Sequence, residues 1–64
     1  MKEAATITFH DLDTTKEAAV IVRYDAATVA LCVTLEREGD VEVVMRKADA
    51  RKLIDALFDA LKEE

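Results

Sequence analysis

The spacing of apolar residues changes once along this chain, at Arg46-Lys47-Ala48-Asp49-Ala50-Arg51-Lys52, and that change limits the fold more than any other feature. Before it, apolar and polar residues alternate, the pattern of strands with one covered face. After it, apolar residues recur at helical spacing, the pattern of a helix with one covered stripe. Strands followed by one helix make an α+β arrangement, in which the helix is the natural cover for the apolar face of the sheet.

Four runs carry the strand pattern. Residues 5–12 form a first strand with Ala5, Ile7 and Phe9 on one face and Thr6, Thr8 and His10 on the other. Asp11 to Glu17 is polar and rich in turn formers, so it reads as a loop. The second strand, 18–24, turns Val20, Val22 and Tyr24 inward and Ala19, Ile21 and Arg23 outward. A turn over Asp25 to Thr28 leads to the third, 29–36, with Val29, Leu31, Val33 and Leu35 inward and Ala30, Cys32, Thr34 and Glu36 outward.

Parity sets the register. A four-residue turn pairs Tyr24 with Val29, Val22 with Leu31 and Val20 with Val33. Gly39, the only glycine, marks the last hairpin. A three-residue loop, Arg37-Glu38-Gly39, with Gly39 in the left-handed region as a bulge, keeps the apolar faces together and pairs Leu35 with Val41, Val33 with Val43 and Leu31 with Met45. Residues 47–62 then place Ala50, Leu53, Ile54, Leu57, Phe58 and Leu61 on one arc of a helix, with Lys52, Asp55, Asp59 and Lys62 opposite. Arg46 is the expected N-cap, with Asp49 at N3 and Met45 stapled on Ala50. The expected fold is one domain over residues 1–64: a two-layer α+β structure, β-β-β-β-α, its four-stranded antiparallel meander packed on one C-terminal helix.

Size makes association part of the expectation. For 7.1 kDa the surface scaling gives roughly 4,000 Å² in the folded state, about 60% of the unfolded surface being buried. At that size apolar burial and ordering entropy nearly cancel. The lone Cys32 cannot form an intrachain disulfide. A homodimer or a partner protein is the remaining source of stability. If the register above holds, Ile21, Cys32 and Val44 lie side by side on the face away from the helix, flanked by Ala19 and Ala30, and this small apolar stripe is the expected interface.

The chemistry of known sites is sparse. Ile7-Thr8-Phe9-His10-Asp11-Leu12-Asp13-Thr14-Thr15 resembles the first motif of the haloacid dehalogenase phosphotransferases, an apolar strand followed by D-x-D-x-T, in which the first Asp is a nucleophile and Mg²⁺ offsets the phosphate charge. The parallel crossover sheet and later motifs of that family do not fit in 64 residues, so the run reads as a polar loop. A calcium loop fails as well, because Lys16 stands where the turn glycine is needed and Val22 where the closing carboxylate is needed. One His and one Cys cannot build a zinc site in a single chain, and a Cys-His dyad requires His10 and Cys32 to be neighbours on the outer face.

Charge narrows the partners. Fourteen Asp and Glu against nine Lys and Arg, a net charge of -5, argues against direct nucleic-acid binding. With no transmembrane run, no signal-peptide core and one free thiol, a cytoplasmic location away from membranes is expected. Arg46, Lys47, Arg51 and Lys52 form a basic cluster at the helix N-terminus, where basic groups and free N–H groups can hold an anion. Acidic neighbours such as Glu42, Asp49 and Asp55 offer internal neutralisation. The expectation is a small interaction module with no cofactor and no catalysis, self-associating through a sheet face or edge. The alternatives are an acidic inhibitor or decoy that occupies a basic nucleic-acid-binding partner, and anion binding at the helix N-terminus.

Overall fold

The computed structural model describes residues 1–62 and contains β1 (Lys2–His10), β2 (Glu17–Tyr24), β3 (Thr28–Leu35), β4 (Gly39–Arg46) and α1 (Lys47–Lys62). The strands form one antiparallel sheet in the order β1-β2-β3-β4, the meander expected from the sequence.

β1 begins and ends earlier than the alternation predicts. Lys2 and Glu3 pair with Tyr24 and Arg23 although they carry no apolar pattern, and a bulge between Glu3 and Ala5 restores the phase. The strand stops at His10 because Asp11 turns the chain. Its carboxylate accepts the Thr14 N–H at 2.9 Å and the Thr14 hydroxyl at 2.7 Å, and its carbonyl accepts the Thr15 N–H at 2.8 Å. Leu12, assigned to the strand from sequence, stands in this loop at 95% exposure.

Between β2 and β3 the expected register is present, with Val20 opposite Val33, Val22 opposite Leu31 and Tyr24 opposite Val29. Asp25 holds the turn by accepting the Ala27 and Thr28 N–H groups at 3.0 and 2.8 Å. The β3–β4 pairing differs from the expectation by two residues: Val33 faces Val41, Leu31 faces Val43 and Val29 faces Met45. The reason lies in the turn. It spans Glu36 to Glu38, closed by the Glu38 N–H on the Leu35 carbonyl at 2.9 Å, and Arg37 takes a left-handed φ of 67° in addition to Gly39 at 94°. Both loops contain an odd number of residues, so every side chain keeps its expected face while its cross-strand partner moves.

The sheet is therefore two-sided in composition. Its inner face carries the rows Phe9-Ala18-Leu35, Ile7-Val20-Val33-Val41, Ala5-Val22-Leu31-Val43 and Tyr24-Val29-Met45. The outer face mixes Thr6, Thr8, Arg23, Thr34 and Glu42 with a few small apolar residues.

α1 follows β4 with no residue between them, and its backbone approaches β3 and β4 but neither β1 nor β2. The order of four strands and one C-terminal helix is the expected one, and the backbone of α1 meets the sheet only at β3 and β4. No α1 residue is buried; Ile54, Leu57, Phe58 and Leu61 are 56–83% exposed. Among the described residues only Ala18 and Ala30 are buried. The chain is a slab of 35 × 32 × 15 Å with a radius of gyration of 13.0 Å, against about 10.7 Å for a compact chain of this length.

Candidate interaction surface

On the outer face, the pairings bring Ile21 and Cys32 together as expected, but the two-residue displacement of β4 puts Glu42, not Val44, beside Cys32. Val44 lies opposite Ala30, one row away. This replacement has an electrostatic consequence. Arg23, which faces Ala30, reaches diagonally across β3 to Glu42, with Nη1 and Oε2 3.2 Å apart. The ion pair crosses the stripe, and Ala30, on the same face, is 1% exposed. Ala19, Ile21 and Cys32 are half-buried, and Val44 alone is well exposed. The five residues expected to form the interface thus share a face, but an ion pair divides them.

The inner face and α1 make a larger apolar surface, which reading the sequence assigned wholly to the core. Val33, Val41 and Val43 are 45–66% exposed, and Ile7 and Phe9 lie open on β1, on the far side of β2. No charged residue interrupts the three rows that contain them. Alternation and helical spacing gave the right residues but could not show that the helix leaves them bare.

The basic cluster divides into separate interactions. Asp49 accepts from Arg46 Nε at 3.2 Å, so its carboxylate meets the side chain of the last β4 residue in place of the backbone N–H expected from the sequence. Lys47 Nζ sits 5.6 Å from the centroid of the Tyr24 ring, a cation–π contact between the helix start and β2. Arg51 and Lys52 point from the exposed part of the helix. Two of the four basic residues are thereby engaged in fixing the joint.

The carboxylates act mainly on their own chain. The Thr14 hydroxyl, then the Thr14 N–H, lower the pKa of Asp11 below the ordinary Asp value. The Thr28 hydroxyl, then the Ala27 and Thr28 N–H groups, do the same for Asp25. Glu38 is lowered by hydrogen bonding to Lys16 and by that ammonium's charge, a pair that ties the β1–β2 loop to the β3–β4 turn. Asp11, Asp25 and Glu38 thus serve as acceptors within the turns and loop that hold them.

His10 pairs with Glu17, and Cys32 lies two strands away, in the row of Thr6 and Ile21. Register therefore keeps the two apart and forms no dyad. Among the described residues no group of three or more His, Cys, Asp or Glu is placed to hold a metal ion, and no helix is long and apolar enough to cross a membrane. Comparison with models of known protein families, with curated proteins and with solved structures gives no match to this chain.

Proposed function

We propose that this protein is a small non-enzymatic interaction module that self-associates as a homodimer, and that its association surface is the inner face of the sheet together with the apolar stripe of α1. One observation carries this reading. The chain exposes 5256 Å², about 1,200 Å² more than a compact 7.1 kDa protein would expose, and the excess accompanies open Val, Ile, Leu and Phe side chains. The outer stripe of Ile21, Cys32 and Val44 is the lesser surface, because the Arg23–Glu42 pair would have to be desolvated to bury it. A partner protein would bind the assembled dimer, whose outer faces and edges remain available.

Sedimentation equilibrium tests the reading. A mass of about 14 kDa, twice that of the chain, is expected at micromolar concentration, and a 7.1 kDa species at all concentrations would overturn it. Val41→Lys should dissociate the dimer, whereas Ile21→Lys combined with Val44→Lys should leave it assembled; the opposite pattern would return the interface to the outer face.

A further inference from the structure

Resting on that self-association, we infer that the occupant of the inner face is α1 of a second copy, and that the exchange is reciprocal: each helix covers the sheet of the other chain.

The joint carries the first part of the argument. β4 ends at Arg46 and α1 begins at Lys47, so no linker residue exists to turn the helix back over its own sheet. Helix and strand neighbours that pack on one another are joined by about 2–6 residues. Neither glycine nor proline softens this joint, the only glycine being Gly39. The Arg46–Asp49 ion pair and the Lys47–Tyr24 contact span this joint. The stripe of Ile54, Leu57, Phe58 and Leu61 is carried away from the inner face of its own chain, where it remains open. A connector too short for closure between two sound elements is the condition under which identical elements are exchanged between protomers.

Dimensions and area carry the second part. The 16 residues of α1 span about 24 Å at ~1.5 Å per residue. The eight-residue strands β2 to β4 span about 26 Å at ~3.3 Å per residue. One helix therefore covers one sheet along its length. The excess surface of about 1,200 Å² per chain amounts to about 2,400 Å² for a pair, within the range of obligate homodimers, which begins near 2,000 Å². Two sheets packed face to face would leave both helical stripes in water. Exchange buries both surfaces in one step.

Cross-linking decides the matter, using full-length chains in which Cys32→Ala removes the native thiol. Chains carrying Val33→Cys, at the centre of the inner face, are unfolded and refolded together with chains carrying Leu57→Cys, then oxidised and resolved by mass. Exchange predicts a covalent dimer joining one chain of each kind, at least tenfold over like-with-like products. The pair Val41→Cys and Ile54→Cys repeats the test at an independent position and should give the same product. Predominance of the Val33→Cys chain joined to itself would overturn exchange in favour of a sheet-on-sheet dimer. A chain bearing both Val33→Cys and Leu57→Cys that closes on itself, with a single-chain mass, would overturn exchange and with it the inner face as the association surface. A dimer mass without any sheet-to-helix cross-link from either pair would overturn exchange alone.

Discussion

Among the described residues Thr15 and Arg37 are the two non-glycine residues with positive φ, at 64° and 67°, and each sits where a strand connection turns. A β-branched residue is the worse fit to that region, because its side chain crowds the backbone there. Thr15→Asn should therefore stabilise the protein by about 1 kcal/mol, read as a raised urea midpoint with unchanged slope. Arg37 explains why the sequence misplaced the last hairpin. Gly39 is legible as a left-handed residue, but nothing in an arginine announces a second one, so the loop was assigned one residue late. Asp25 is more transparent, a turn former whose carboxylate accepts from Ala27 and Thr28. Its folded pKa lies below the ordinary value of 3.8, so its contribution is complete above that value and disappears as pH falls through the lowered one. Asp25→Asn removes this proton linkage. The wild type should lose more stability than the variant between about pH 5 and about pH 2, and parallel curves would show that Asp25 does not contribute.

At the scale of elements, the alternation of β2 and β3 was fully readable, because two apolar strands joined by a four-residue turn leave one register that keeps their faces together. β1 was less so: Lys2 and Glu3 enter the sheet by backbone pairing at an edge, which leaves no trace in side-chain pattern. The helix bounds were legible from the change of period, yet the position of the helix was not. Periodicity says which stripe must be covered and is silent on what covers it. That depends on the length of the connector, which is zero here. Inserting Gly-Ser-Gly-Ser between Arg46 and Lys47 supplies a flexible link. It raises the effective concentration of the helix at its own sheet from near zero to about the millimolar range. A closed monomer should then outcompete the dimer at micromolar concentration, and size-exclusion chromatography with light scattering should report half the wild-type mass. Retention of the dimer would mean that the helix direction is set by something other than the missing linker.

For the whole molecule, the decisive quantity is how little of one chain is buried. A sheet with an open apolar face and a helix with an open apolar stripe have neither a core large enough nor a disulfide to offset chain entropy, Ala18 and Ala30 being the only buried residues among those described. For the proposed dimer, folding and association are one event, and stability depends on protein concentration. Each tenfold increase in protein favours the assembled state by about 1.4 kcal/mol at 25 °C. Spread over the unfolding entropy of two chains, at ~2.1 cal/mol/K per residue, this corresponds to a melting temperature higher by about 5 °C. Calorimetry at two concentrations a hundredfold apart should therefore show transitions separated by about 10 °C, with a single cooperative peak at each. A melting temperature independent of concentration would mean that one chain folds alone despite its open surfaces, and the association surface would then have to be sought in a partner of different sequence. The joint at Arg46 and Lys47 links the two scales, because the same absence of a linker that bares the helix is what the proposed exchange between two chains rests on.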